Sequence, residues 1–135
     1  MVLDSSMALA WIYSDEVTDS ARHVFEIIAR EGAWVPAIWR LEVANSLYTA
    51  VRRGRIGGSF RDAALADLAL MEIVTDGDTD TYAWTTTVHL SDRFRLTVYD
   101  AAYLELAQRR RLPLASLDQD LRVAAGVLGV TLLGA

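Results

Sequence analysis

Two acidic residues follow short apolar segments that are typical of buried strands. Asp4 follows residues 1–3, and Asp118 follows residues 114–116. Ligands of an open parallel sheet bind beyond the carboxyl ends of its strands, so both aspartates stand where a site would form. The alternative is that each aspartate only caps the helix that follows it.

Two further carboxylates stand at positions that a solvated helix surface explains less well. Asp100 shares a helical face with Tyr103 and the apolar residues 104 and 107, where a carboxylate needs a partner. Glu42 lies one turn after Ile38, with Asn45 on the same side. The alternatives are an N-cap for Asp100 and a solvent-facing side chain for Glu42.

Four carboxylates that converged would repel one another unless a cation neutralised them. Oxygen-only ligands favour Mg²⁺ or Mn²⁺. The chain has no cysteine, and its two histidines, His23 and His89, stand alone in helical segments. A divalent ion so held can lower the pKa of a water and polarise a phosphoryl oxygen, so the set predicts phosphodiester hydrolysis.

The elements that must position these acids alternate along the chain between short apolar runs and longer segments with helical periodicity. The predicted strands cover 1–3, 33–35, 72–74, 113–116 and 130–133. The predicted helices cover 7–13, 15–30, 36 to the arginines at 52–55, 59–71, 79–94, 99–111 and 118–128. Ser5 or Ser6 is the expected N-cap of the first helix, and Pro36 is expected to open the third.

This alternation predicts a three-layer α/β fold, with a short parallel sheet of four to five strands and helices on both faces. The chain has 135 residues and 53% hydrophobic composition, which fits one domain over residues 1–135. The longest uncharged stretch, 123–135, is too short for a membrane helix, and the start lacks the features of a signal peptide. We therefore expect a soluble, cytoplasmic protein.

The formal net charge is −5, and all 13 basic residues are arginine. The arginines cluster at 52, 53 and 55 and again at 109–111. Each cluster is either a solvated helix end, favoured by the helix dipole, or a phosphate contact.

Four segments resemble the PIN domain, in order and over nearly the whole chain. Residues 2–6 (VLDSS) resemble its opening strand and first acid. Residues 41–47 (LEVANSL) resemble its E-x-x-N-x-L helix, and residues 97–107 (TVYDAAYLELA) are very similar to its T-x-Y-D-A-x-Y-L-x-L-A segment. Residues 114–121 (LASLDQDL) resemble L-A-T-x-D-x-x-L, with serine in place of the usual threonine.

This resemblance implies a metal-dependent ribonuclease, and the length suits the VapC-type toxins of type II toxin–antitoxin systems. The metal-binding and catalytic acids would be Asp4, Glu42, Asp100 and Asp118, with Asp120 as a possible extra ligand that could exchange roles with Asp118. Ser116 and Asn45 would support them. The implied cofactor is Mg²⁺ or Mn²⁺. The implied partners are an RNA substrate, a VapB-type antitoxin docked on residues 39–71, and a second copy of the chain.

Two other classes of protein compete with this interpretation. An acid-cluster phosphatase of another doubly wound fold would use a lysine, as would receiver domains and P-loop NTPases, and the chain has none. Haloacid-dehalogenase-like phosphatases also need an aspartate where Ser6 stands. The non-enzymatic alternative is a degenerate PIN-like binding module.

Overall fold

The computed structural model describes residues 1–13, 15 and 17–135, and these form five strands and eight helices. The strands are β1 (Val2–Leu3), β2 (Ala33–Val35), β3 (Ile73–Thr75), β4 (Leu114–Ala115) and β5 (Leu132–Leu133). The helices are α1 (Ser5–Ile12), α2 (Asp19–Glu31), α3 (Trp39–Arg52), α4 (Gly58–Ala69), α5 (Thr79–Ala83), α6 (Thr86–Phe94), α7 (Val98–Arg110) and α8 (Gln119–Val127). Within the described part, no helix is long and apolar enough to cross a membrane.

The strands form one parallel sheet in the order β3-β2-β1-β4-β5. The predicted parallel α/β fold is therefore confirmed. The central strand β1 and its neighbour β4 are completely buried, as expected for a sheet that helices cover on both faces. In their register Leu3 lies opposite Ala115, so the residues that follow them meet at the same edge.

The strand order also determines where the helices lie. The chain moves from β1 to β2 and β3 in one direction, then returns past β1 to β4 and β5 in the other. Because parallel crossovers are right-handed, α1–α4 cover one face and α5–α8 cover the other. The order reverses between β1 and β4, and the carboxyl ends of two such strands form the crevice where α/β sheets bind ligands.

The predicted starts of the second and third helices are wrong, and hydrogen bonds at each start show why. The third helix starts at Trp39 rather than Pro36, because residues 37 and 38 form a turn whose Ala37 N–H is bound by Thr79 Oγ1 at 3.0 Å. The second helix starts at Asp19, with the Thr18 side chain accepting from Ala21 N; position 16 of the predicted span lies outside the described residues.

The predicted helix over 79–94 is divided into α5 and α6. The division falls at Trp84 and Thr85, where Thr85 leaves helical geometry at φ −119° and ψ −97°. β-Branched threonines restrict side-chain rotamers in a helix, so the run at 85–87 is a weak point. Thr87 lies buried beyond this break, which places the start of α6 against the core.

Candidate active site

Asp4 leaves β1 at the crevice between β1 and β4. Its backbone N–H donates to Ala115 O at 3.0 Å, and its side chain is buried at 3% exposure. It occupies the N-cap position of α1, but its carboxylate makes no capping hydrogen bond. The prediction of Ser5 or Ser6 as that cap is therefore wrong, and capping does not account for the buried carboxylate of Asp4.

Two serine hydroxyls hold one oxygen of Asp4. Ser6 Oγ donates to Oδ2 at 2.6 Å, and Ser116 Oγ donates to the same atom at 2.7 Å. Each hydroxyl also accepts a backbone N–H, from Leu117 for Ser6 and from Asp118 for Ser116, both at 3.0 Å. Because a hydroxyl has a single proton, these contacts direct both protons to Asp4.

The sequence predicts a supporting role for Ser116, but for Ser6 it does not predict a contact with Asp4. Its two-residue spacing from Asp4 was the available signal, since a short polar side chain at that distance can bind its neighbour's carboxylate. Through Leu117 N, Ser6 also ties the start of α1 to the segment that carries Asp118.

Asp118 is a helix cap, as the alternative interpretation held. Its Oδ1 accepts from Leu121 N at 2.9 Å, which fixes the start of α8. The side chain is half-buried, whereas Asp120 in the first turn of α8 is exposed. Capping engages one oxygen of Asp118 and leaves the second carboxylate oxygen outside that contact.

Asp100 is not the N-cap of its helix. The cap of α7 is Thr97, whose Oγ1 accepts from Asp100 N at 3.1 Å. Asp100 therefore lies inside the first turn, half-buried. Burial is the largest cause that raises its pKa, and the charges of Asp118, Asp4 and Asp120 raise it further.

Glu42 lies in the first turn of α3 and is half-buried rather than solvated. The hydroxyl of the fully buried Tyr103 donates to its Oε1. Burial raises the pKa of Glu42 most, the hydrogen bond from Tyr103 opposes that effect, and the charges of Asp4 and Asp100 add to it. Tyr103 was placed on the face of Asp100 by its spacing, but its contact across to α3 was not predicted.

The charges of these acids act on one another near the β1–β4 crevice. Burial raises the pKa of Asp4, the two serine hydroxyls lower it, and the charge of Asp118 raises it again. Asp4, Asp100 and Glu42 each have a raised pKa with at least one of the other acids among the causes. The structure therefore brings these side chains within electrostatic reach of one another and separates none of them to another face.

Among the described residues, no three carboxylate or histidine side chains are close enough together to form a ready metal-binding cluster. The donor set nevertheless fits a hard divalent ion, since it consists of oxygen ligands whose mutual repulsion such an ion would relieve. His23 and His89 are both exposed, on α2 and α6. Asp4, Asp100, Asp118 and Glu42 are the side chains that could supply oxygen ligands to such an ion.

Asn45 lies on the same side of α3 as Glu42 but is exposed. With Glu42, Ile38, Leu41 and Tyr99 it lines a cavity of about 310 Å³. Within residues 1–13, 15 and 17–135, it makes no hydrogen bond to the four acids. Its predicted supporting role is therefore not visible as a direct contact, and the side chain instead borders the approach to Glu42.

The second arginine cluster has a role that neither predicted alternative described. Asp76 directly follows β3 and is buried, with no exposed side-chain surface. Arg109 Nη2 lies 2.6 Å from its Oδ2, and Arg110 Nη2 lies 3.0 Å from its Oδ1. The buried Glu105 pairs with Arg109 at 2.8 Å. These two arginines are thus engaged inside the protein rather than solvated or available to phosphate.

Comparison with known proteins agrees with this geometry. The chain matches the PIN domain family over residues 1–127. It is also similar to the crystal structure of PAE2754 from Pyrobaculum aerophilum, with a TM-score of 0.70 and 20% identity, over 97% of this chain and 81% of that one. No curated protein sequence matches it significantly. The chain therefore belongs to the PIN domain family, a superfamily of metal-dependent nucleases.

Proposed function

We propose that the chain is a single-domain endoribonuclease that depends on Mg²⁺ or Mn²⁺ and hydrolyses RNA phosphodiester bonds. The observation that supports this most is the group of acids near the β1–β4 crevice, where burial and neighbouring carboxylates raise the pKa of Asp4, Glu42 and Asp100. Perturbed titratable groups in such a crevice are candidates for catalysis. Family membership supplies the nuclease class, and the oxygen-only donor set supports the choice of metal.

In this proposal Asp4, Asp100 and Asp118 hold the metal, and Asp120 can substitute for Asp118. When bound, the ion supplies charge stabilisation of the phosphoryl group. Asp4 is oriented for this purpose, because both serine protons bind Oδ2 and leave Oδ1 outside those contacts. The serines therefore position the carboxylate rather than react.

Glu42 orients the attacking water and takes its proton. Tyr103 binds Oε1, which leaves Oε2 outside that contact. The raised pKa of Glu42 suits a general base, which works best when its pKa approaches the working pH. The water oxygen then forms its bond to phosphorus as the bond to the leaving oxygen breaks.

A cleavage assay tests this proposal. A short RNA labelled with a fluorophore and quencher is incubated with the purified chain in Mg²⁺, in Mn²⁺ and in EDTA, beside a DNA of the same sequence. Asp100→Asn should abolish metal-dependent cleavage, and Glu42→Gln should slow it by about 100- to 10,000-fold. Asp92→Asn, an exposed acid on α6, is the matched control and should cleave normally. Full activity in Asp100→Asn would contradict the assigned site.

Metal binding is measured separately from activity. An ion that binds only the folded chain stabilises it and therefore raises its melting temperature. At an ion concentration 100 times the Kd, the added stability is about 2.7 kcal/mol. Millimolar Mg²⁺ or Mn²⁺ should therefore raise the melting temperature of the chain and of Asp92→Asn, but not of Asp100→Asn. An unchanged melting temperature in all three would argue against a metal site of useful affinity.

We further propose that the chain is the toxin of a toxin–antitoxin pair, held inactive in the cytoplasm by a VapB-type antitoxin on residues 39–71. This arm exposes large apolar side chains: Leu41 (67%), Tyr48 (52%), Phe60 (46%) and Leu70 (86%). Exposed apolar surface of this kind favours a protein partner. Expression in a bacterium should arrest growth, Asp100→Asn should not, and sequencing of the cleavage products should identify the RNA target.

A second copy of the chain is also proposed as a partner. Trp84 (91% exposed) and the apolar side chains of the arm supply surface for a homodimer. Light scattering on the isolated chain at micromolar concentration tests this. A strictly monomeric mass would exclude the dimer without affecting the nuclease assignment.

A further inference from the structure

A row of polar residues runs along α3 away from the candidate active site. Glu42, Ser46, Thr49 and Arg53 follow one another at intervals of four, three and four residues. Residues with this spacing lie on the same side of a helix, one turn after another. The row therefore joins the acid at the start of α3 to an arginine at its carboxyl-terminal cap.

The far end of this row opens into a cavity between α1 and α3. The cavity has a volume of about 220 Å³, and it is bordered by two side chains of α1 and its cap, three of α3, and two arginines: Leu9, Tyr13, Ser46, Thr49, Ala50, Arg53 and Arg55. Leu9 and Tyr13 are one helical turn apart, so α1 forms the second wall. The cavity combines positive charge with hydroxyl groups, which is the chemistry that binds phosphate.

Two arginines, Arg53 and Arg55, border this cavity. The guanidinium carbon of Arg55 lies 4.0 Å from the centre of the Tyr13 ring, which holds Arg55 at the wall of the cavity. Arg53 is the carboxyl-terminal cap of α3 and is exposed. The other arginine cluster differs, since Arg109 and Arg110 bind the buried Asp76. Arg53 therefore brings an exposed positive charge to the wall of this cavity.

Distance along the helix relates this cavity to the site of cleavage. Glu42 and Arg53 are 11 residues apart, which is about 17 Å at ~1.5 Å per residue. At the ~3.4 Å rise of a stacked strand this length corresponds to about five nucleotides, and a more extended strand covers it with fewer. A single strand that lies in the α1–α3 groove would place one of its phosphates beside Arg53.

We infer that the cavity between α1 and α3 binds a phosphate of the RNA strand, up to about five nucleotides from the bond that is cut, through the Arg53 guanidinium. This inference rests on the proposed ribonuclease function and adds a substrate-binding site to it. The Arg53 guanidinium supplies charge-assisted hydrogen bonds to the phosphate, and the hydroxyl-lined wall of α3 guides the backbone. The site contributes affinity and not sequence preference, because phosphates carry no sequence information.

Steady-state kinetics on two RNA lengths test the inference. One substrate extends eight nucleotides on both sides of the cut, and the other extends two. Arg53→Gln should raise KM for the long RNA about tenfold or more, with little change in kcat. KM for the short RNA should not change. For the long RNA, the slope of log affinity against log salt concentration should fall by about one.

Arg52→Gln is the matched control, since Arg52 is the adjacent exposed arginine, turned about 100° away around the helix. It should leave KM for the long RNA close to the wild-type value, and Arg53→Lys should recover part of the lost affinity. Equal effects of Arg52→Gln and Arg53→Gln, or an equal effect on both RNA lengths, would overturn the inference.

Failure of the inference can be told apart from failure of the proposed function. If Arg53→Gln leaves every KM unchanged while Asp100→Asn abolishes cleavage, the phosphate site is absent and the ribonuclease remains. If no RNA is cut by the wild-type chain in either metal, both the proposed function and the inference fail. Melting temperatures of Arg53→Gln and Arg52→Gln equal to wild type would exclude unfolding as the cause of a KM effect.

Discussion

The carboxylate of Asp76 is the charge on which two arginines of α7 depend. Its side chain has no exposed surface, and Arg109 and Arg110 approach it at 2.6 and 3.0 Å. The substitution Asp76→Asn keeps the shape of the side chain but removes its charge. Arg109 would retain Glu105, and Arg110 would retain the Trp34 ring, whose centre lies 3.6 Å from its guanidinium carbon.

Asp76→Asn is expected to cause a large loss of folding stability. Removing one partner of a buried ion pair costs about 3–5 kcal/mol. For 135 residues, an unfolding entropy of about 2.1 cal/mol/K per residue gives about 0.28 kcal/mol/K. We therefore expect Asp76→Asn to lower the melting temperature by about 11–18 °C.

The pH dependence of this effect follows from the pKa of Asp76. Burial acts to raise this pKa, but the hydrogen bonds and charges of Arg109 and Arg110 outweigh burial and hold the pKa below its ordinary value. A carboxylate whose pKa is lowered on folding adds stability above its unfolded-state pKa, and this stability is lost as the pH falls through its folded-state pKa. The difference between wild type and Asp76→Asn should be constant from pH 8 to about 5 and shrink below about pH 4.

Thermal unfolding followed by circular dichroism from pH 3 to 8 measures both effects. Asp78→Asn is the matched control, because Asp78 is 62% exposed and lies 3.9 Å from the same arginine, Arg109. A pair so exposed contributes about 0–1 kcal/mol, so its melting temperature should fall by about 4 °C at most. An equally small shift in Asp76→Asn, or a difference that does not change at acidic pH, would refute the reasoning.

Three further substitutions test the site and its supports. Asp100→Asn should raise the melting temperature in metal-free buffer at neutral pH. Burial and the charges of Asp118 and Asp4 raise the pKa of Asp100, so the ionised carboxylate destabilises the folded chain at a pH above that pKa. A lower melting temperature of the variant in EDTA would contradict this. Ser116→Ala should weaken Mn²⁺ binding about 10- to 100-fold in a calorimetric titration, since it removes a donor to Asp4. Thr97→Ala should reduce the free energy of unfolding in urea by about 1 kcal/mol, through loss of the α7 cap.

The sequence predicts that the four acids gather near one another, but it does not predict the contacts that each of them makes. The apolar runs at β1 and β4 predicted strands, and parallel strands bring their carboxyl ends to one edge, so Asp4 and Asp118 could be expected to meet there. The contact of Tyr103 with Glu42 could not be expected. It joins residues 61 positions apart, and helical periodicity reports only which side of one helix a residue occupies.

The helix caps also differ in how far short segments of the sequence predict them. A cap depends on a few adjacent residues, and Asp118 performs the local role that its position allows. Asp4 stands in an equivalent place, but Ser116, 112 residues away, and Ser6 bind its carboxylate instead. At Asp100 the nearby Thr97 supplies the cap. Residue type alone therefore did not show which of two neighbouring polar side chains caps the helix.

The sequence by itself determined the parallel α/β architecture, the strands at the centre of the sheet and the acids at their ends, because hydrophobic periodicity and strand-end position are properties of short segments. The tertiary structure alone decided which charges are satisfied. Asp76 and Arg110 are 34 residues apart, and Arg110 stands in what the sequence presents as a helix end, but packing buries the Asp76 carboxylate and brings the arginine to it. Burial and pairing across the fold are sums over distant neighbours, which no local pattern encodes.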